Sequence, residues 1–176
     1  WNWMEAKENE NLSELTEKEI CSIIDDAKKF GVTSITLTGG EPTLREDFLS
    51  IISYILSKEI HCKIVTNGTL LAQKIDELLA IDGIKEHRFD VAISFLGADS
   101  KIHDLNTSIP GCYSKASNLV KLLKKSGIQV GIFYTILPSN FNQMELILNF
   151  ACENEVNYLR YGFLHGFVDV NFEPEH

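Results

Sequence analysis

The sequence predicts an α/β fold of parallel strands joined by crossover helices. Three observations carry that prediction. Strand-like and helix-like stretches alternate throughout, the unit recurs roughly every 30 residues as a βαβ unit does, and the stretches between strands carry apolar residues at helical spacing. "LTEKEICSIIDDAKKFG" opens with Thr16 as N-cap and Glu19 three residues on, sets Ile20, Ile23, Ile24 and Ala27 on one helical face, and stops at Gly31. "TSITLT" is a β-branched strand, and "REDFLSIISYILSKE" after it is a second amphipathic helix. "HCKIVTNG" ends a strand in an Asn-Gly turn, "LLAQKIDELLAIDG" is a helix closed by Gly83, and "RFDVAISFLG" is the next strand. An irregular stretch, "ADSKIHDLNTSIPGCY", precedes the helix "SKASNLVKLLKKSG", the strand "IQVGIFYTIL", the helix "NQMELILNFACENE" and a last strand, "VNYLRYGFL". The reading gives five strands and five helices.

A doubly wound open sheet and part of a (β/α) barrel both produce this pattern, and periodicity does not separate them. Both collect ligands outside the C-terminal ends of their strands. Functional residues are therefore sought first at Thr38–Pro42, Thr66–Gly68, Ser94–Gly97, Thr135–Pro138 and Phe163–Gly166.

A length of 176 residues points to a single domain, 1–176. Apolar residues at 44% and charged ones at 23% describe a soluble globular protein, and no apolar run approaches a bilayer span. A net charge of -9 argues against a nucleic-acid partner and leaves a small molecule or a peptide as the expected one. "WNWMEAKENENLSE" has neither a basic start nor an apolar signal core, so a cytoplasmic location is expected. Cys21, Cys62, Cys112 and Cys152 lie too far apart in sequence for the usual metal or redox spacings and read as core thiols.

At the end of "TSITLT" stand Gly39, Gly40, Glu41 and Pro42. Two residues without Cβ permit unusual backbone angles and close approach of a ligand to the main chain, although a plain Gly-Gly turn would use them too. Glu41 is not needed for a turn. Between the glycines and Pro42, its carboxylate would sit at the mouth of the sheet, able to accept charge-assisted hydrogen bonds from a cation.

"GGEP" after a β-branched strand resembles the glycine-rich motif of the radical S-adenosylmethionine (radical SAM) superfamily. "IVTNG" at 64–68 resembles that superfamily's "TNG" element, "ISFLG" at 93–97 its "SxDG" segment and "IHD" at 102–104 its "VHD". The order and spacing of "YSKASNLVKLLKKSGIQVGI" through "LRYGFLHG" extend the likeness over nearly the whole chain. The resemblance implies a partial (β/α) barrel of parallel strands with outer helices, across whose strand ends S-adenosylmethionine is cleaved to a 5'-deoxyadenosyl radical. It implies that Gly39, Gly40, Glu41 and Pro42 meet the amino end of the cofactor. It further implies that Thr66, Asn67 and Ser94 contact its ribose or carboxylate, and that Leu164 lies near its adenine. Leu96 departs from the pattern, since many members carry an acid there.

The superfamily's [4Fe-4S] cluster is held by Cys-x3-Cys-x2-Cys, which none of the four cysteines can supply. The expectation is therefore a core whose first strand and cysteine loop precede Trp1, with the cluster ligands outside this chain. A sheet begun in this way has an unpaired edge, so a homodimer or swapped assembly is expected of the fragment. Two other readings stand beside the enzyme core: a cluster-less ligand-binding or interaction domain of the same fold, and an unrelated α/β enzyme with Glu41 as general base. Among the remaining residues, His103 with Asp104 reads as a surface helix-start pair and His165 as a substrate-side candidate. Asp25 with Asp26, and Glu46 with Asp47, read as solvated or dipole-placed acids. Phe133, Tyr134, Tyr158, Tyr161 and Phe163 read as core, and Trp1 and Trp3 as a cover for the absent strand, the cluster region or the substrate mouth.

Overall fold

The computed structural model describes residues 14–86 and 88–163. Along them run α1 (Glu17–Lys29), β1 (Ser34–Leu37), α2 (Phe48–Ser57), β2 (His61–Thr66), α3 (Ile75–Leu79) and β3 (Phe89–Phe95). These are followed by α4 (Ser100–Thr107), α5 (Cys112–Lys125), β4 (Gln129–Ile136), α6 (Met144–Glu153) and β5 (Tyr158–Phe163). Trp1, Trp3, Leu164 and His165 lie outside the described residues. None of the described helices is long and apolar enough to cross a membrane.

The strands form one parallel sheet in the order β1-β2-β3-β4-β5. This order settles the alternative that periodicity leaves open. A doubly wound sheet reverses its strand order at a switch point, whereas one that advances a single neighbour at a time through right-handed crossovers keeps its helices on one side and curls as the arc of a (β/α) barrel.

The two faces of the sheet confirm this reading. Ile35, Leu37, Cys62, Ile64, Val91, Ile93, Phe95, Val130, Ile132, Tyr134, Leu159 and Tyr161 alternate along their strands and pack into one core with the helices. Helix α2 shows why the sequence folds this way. Its Phe48, Ile51, Ile52, Ile55 and Leu56 are buried, spaced to make one apolar stripe, and each fully buried side chain of this kind is worth about 2 kcal/mol. The opposite, concave face carries Ser34, Thr36, His61, Lys63, Asp90, Ser94 and Arg160, a polar set that a second helical layer would not tolerate.

At the N-terminal end of that concave face a polar brace crosses the sheet. Ser34 Oγ meets His61 Nδ1 at 3.3 Å, and His61 Nε2 lies 3.1 Å from Asp90 Oδ1. Asp90 Oδ2 receives the Tyr158 hydroxyl and has Lys63 Nζ at 3.4 Å. Asp90 is only 3% exposed, so these partners are what make its burial tolerable. Tyr158 reaches Asp90 by lying over Gly131 of β4, where an added Cβ would be 2.1 Å from the ring. Burial, and then the bond to Asp90, push the Tyr158 phenol above its usual range.

The structure departs from the sequence reading in several places. Cys152 is exposed and Cys21 half-buried, so only Cys62 and Cys112 are core thiols. The helix read over "LLAQKIDELLAIDG" is a 3-10 turn, Leu71–Lys74, followed by the short α3, which ends at Leu79 ahead of Gly83. The stretch read as irregular contains α4, opened by Asp99, whose side chain accepts from Ile102 N at 2.9 Å, and closed by Ser108 at φ 58°. Its apolar signal is weak because only His103 is buried, while Leu105 is 66% exposed. His103 is thus not a surface residue. Among the aromatics, Tyr134 is core and Tyr161 packs against it, but Phe133 and Tyr158 line the concave face and Phe163 is exposed. Asp25 is more than a solvated acid, since it joins α1 to α2 by accepting from Tyr54 Oη at 2.8 Å and Lys58 Nζ at 2.6 Å. The expected capping box is present, with Thr16 N donating to Glu19 Oε2 at 2.8 Å and Glu19 N to Thr16 Oγ1 at 3.3 Å.

Candidate functional site

Strand β1 runs out at Leu37, and the chain then turns over Gly39 and Gly40. Gly39 has φ +139°, a conformation in which a side chain is strained. Gly40 has no such constraint, and a Cβ added to either residue would meet nothing within 4 Å among the described residues. The glycines therefore do not serve close packing against those residues. They leave bare backbone facing open space.

Glu41 caps a 3-10 turn, Pro42–Leu44, in which Pro42 sits at the start where no N–H is needed. Its Oε1 accepts from Thr43 N at 3.2 Å, Thr43 Oγ1 at 2.6 Å and Thr66 Oγ1 at 2.7 Å, and its Oε2 accepts from Asn67 N at 2.8 Å. The carboxylate consequently ties the end of β1 to the end of β2. Thr66, 2% exposed, completes the tie by accepting from Gly68 N at 3.1 Å. Asn67 Oδ1 accepts from Thr69 N at 2.9 Å and Thr69 Oγ1 at 2.7 Å, fixing the turn.

Beyond β3 the backbone at Leu96–Asp99 is held from three sides. Leu96 N donates to His103 Nδ1 at 3.1 Å, and Leu96 O accepts from Asn106 Nδ2 at 2.6 Å and Asn140 Nδ2 at 2.9 Å. Ala98 N donates to Gln143 Oε1 at 2.9 Å. Because Nδ1 accepts, the His103 proton is assigned to Nε2, which is buried without a hydrogen-bond partner and has Phe95 and Tyr113 packed edge-on about its ring. Burial lowers the His103 pKa below its ordinary 6.5. The unfolded chain then takes up a proton that the folded chain refuses, so stability is complete above about pH 6.5 and falls as pH drops through that value. Urea midpoints at about pH 7.5 and 5.5 should show this loss, and His103→Gln should flatten it. An unchanged slope in the variant would assign the loss to other groups.

Two adjoining clefts share Gly39, Gly40 and Glu41. One, of about 390 Å³, continues over Thr38, Pro42 and Arg45; the other, of about 250 Å³, continues over Asn67, Leu96, Asn106, Thr107 and Cys112. Together they have the size of a cofactor site. Of the residues expected from the sequence, Gly39, Gly40, Glu41, Pro42 and Asn67 line this space, whereas Thr66 lies behind it as a support. Ser94 sits on the concave face near the end of β3, and its side chain makes no hydrogen bond among the described residues. Arg45, Asn106 and Cys112 escaped the sequence reading. Nothing in their local patterns marks them, since the loop after Glu41, α4 and the start of α5 bring them in only on folding. Leu96, noted as the place of a missing acid, offers an apolar wall instead.

The glycine cleft fits an aminoacyl nucleotide: bare main chain, open volume and an anionic side chain whose Oε2 accepts a single hydrogen bond among the described residues. The cysteines do not fit an iron-sulfur cluster. Among the described residues no group of three His, Cys, Asp or Glu is placed to hold a metal. Cys62 is buried, and burial pushes its thiol up to about 12, away from the thiolate that iron requires.

The profile of the radical SAM superfamily, whose cofactors are S-adenosylmethionine and a [4Fe-4S] cluster, matches residues 2–151. The Fe-coproporphyrin III synthase of Methanosarcina barkeri is 27% identical over 88% of this chain and 37% of its own length. A probable GTP 3',8-cyclase of Sulfurisphaera tokodaii is 30% identical over 92% of this chain and 50% of its own. The chain thus spans half the length of these relatives or less. The crystal structure of Streptococcus suis SuiB superposes with a TM-score of 0.77 at 20% identity, over 90% of this chain and 36% of that one. SuiB has also been captured with S-adenosylmethionine and with its precursor peptide SuiA. With a profile match over most of its residues and the same single-sided parallel arc, this chain belongs to the radical SAM superfamily.

Proposed function

We propose that this chain is the S-adenosylmethionine-binding core of a radical SAM enzyme acting on a small molecule or a peptide. In the full-length protein the bound cofactor supplies the hydrogen-abstracting fragment. Fold and family support this reading, and the open face of Gly39 and Gly40 carries it. The main chain there receives the aminoacyl tail. Glu41 accepts the ammonium at Oε2 while its other bonds hold the glycine turn against β2. In this reading Asn67 and Ser94, at the ends of the next two strands, contact the ribose or carboxylate, and the apolar side of Leu96 helps exclude water. Leu164, beside the adenine, belongs to the same proposal. The described cysteines offer the cluster no site.

Gly40→Ala tests the reading. Its methyl group meets no atom of the described residues within 4 Å and no backbone strain attends it, so folding should be unchanged. The methyl would instead occupy the space given to the ligand and should weaken S-adenosylmethionine binding at least about tenfold, a loss of about 1.4 kcal/mol. Calorimetric titration of the full-length variant measures this. Equal affinity would remove the glycine cleft from cofactor binding.

A further inference from the structure

The concave face of the sheet carries an unbalanced positive charge in a protein whose net charge is -9. Asp90 is the only acidic residue in any of the five strands, and His61, Lys63 and Tyr158 already occupy its carboxylate. Arg160 of β5 is exposed, makes no ion pair among the described residues, and lies with its guanidinium 5.1 Å from the Phe133 ring centroid. Lys63 Nζ stands 6.0 Å from the same ring. An arginine steadied on an aromatic face keeps its fork of donors free for a planar anion and has already surrendered part of its side-chain entropy. Its register completes the case. Arg160 pairs with Phe133, and Phe133 pairs with Ser94 near the end of β3, so the Arg160 backbone stands level with Ser94, about two strand spacings or roughly 10 Å across the sheet from it.

We propose that Arg160, stacked on Phe133, anchors an anionic group of the substrate, a carboxylate or a phosphate, on the concave face. The inference rests on the reading that a substrate meets S-adenosylmethionine over this face, and it names the substrate class as an acid. Arg160 acts there as a specificity residue: it binds the anion through two parallel N–H donors and takes no part in the hydrogen transfer.

Labelling of the full-length protein with phenylglyoxal, read by mass mapping at Arg160 and at Arg88, tests this without turnover. Inorganic pyrophosphate or succinate should slow labelling of Arg160 by about fivefold once the anion reaches roughly four times its dissociation constant. Arg88, paired with Glu86, should be unaffected. Whichever anion protects identifies phosphate or carboxylate as the group recognised, and protection by both supports the shared chemistry. Protection by S-adenosylhomocysteine would assign Arg160 to the cofactor's own carboxylate and overturn the proposal. So would absence of protection by either anion up to roughly 100 mM, a concentration that saturates millimolar sites. The readout needs no cofactor, so its failure is separable from failure of the Gly40→Ala test.

Discussion

Glu41→Gln should lower the stability of the protein by about 2 kcal/mol, the scale of a hydrogen bond to a charged group left unmade, and should also weaken S-adenosylmethionine binding about tenfold. The carboxylate answers four protein donors: two from Thr43 and one each from Thr66 and Asn67. A carboxamide has one accepting oxygen. Placed where Oε1 is, it turns an NH2 toward the Asn67 N–H. Placed the other way, it turns the NH2 toward Thr43 and Thr66, and Thr66 Oγ1 already accepts from Gly68 N. Either orientation leaves donor facing donor. The end of β1 then loosens from the end of β2, and the cleft loses its negative charge at the same time. Thermal unfolding should shift down by about 4–8 °C for a domain of this size. The comparison with Gly40→Ala is informative, because that change should affect binding alone. A Glu41→Gln variant with unaltered melting temperature would show that the tie between the strands carries no stability.

A larger loss of stability is expected from Gly97→Ala. A Cβ there would lie 2.4 Å from His103 N, 2.8 Å from Ile102 C and 2.9 Å from His103 Cα. All three are main-chain atoms in the first turn of α4, so no rotamer change relieves the overlap. The helix must move, and with it go the Leu96 N–H to His103 Nδ1 bond and the seat of Asn106 on Leu96 O. Overpacking of this kind typically costs 1–3 kcal/mol, and loss of a buried polar partner adds to it, so a total of about 3 kcal/mol is expected. Urea unfolding of the variant measures it. A loss below about 1 kcal/mol would show that α4 can shift freely at its start. Because α4 also forms one wall of the smaller cleft, through Asn106 and Thr107, the substitution should loosen ligand binding as well.

The arc of alternating elements was legible because its apolar residues keep their periods: two in β2, where Cys62, Ile64 and Thr66 are buried in turn, and near 3.6 in α2. Gly39 to Pro42 were legible because glycine and proline carry their backbone meaning locally. Helix α4 was not, since "SKIHDLNT" buries one histidine and has no apolar stripe, although Asp99 supplied a cap signal. The double role of Glu41 was equally hidden. Its partners Thr66 and Asn67 lie 25 and 26 residues away, and nothing local distinguishes a carboxylate awaiting a ligand from one already engaged. The sidedness of the sheet decided the aromatics. Core packing was expected of Phe133 and Tyr158 on the premise of cover on both faces, and a half-barrel covers only one.

The chain of contacts Ser34–His61–Asp90–Tyr158 links β1, β2, β3 and β5 across the floor of the arc. Such a cross-tie sets the curvature of the trough while it is still empty. A guest entering from the other end then finds the walls already at their working separation, and its affinity is not spent on bending the sheet.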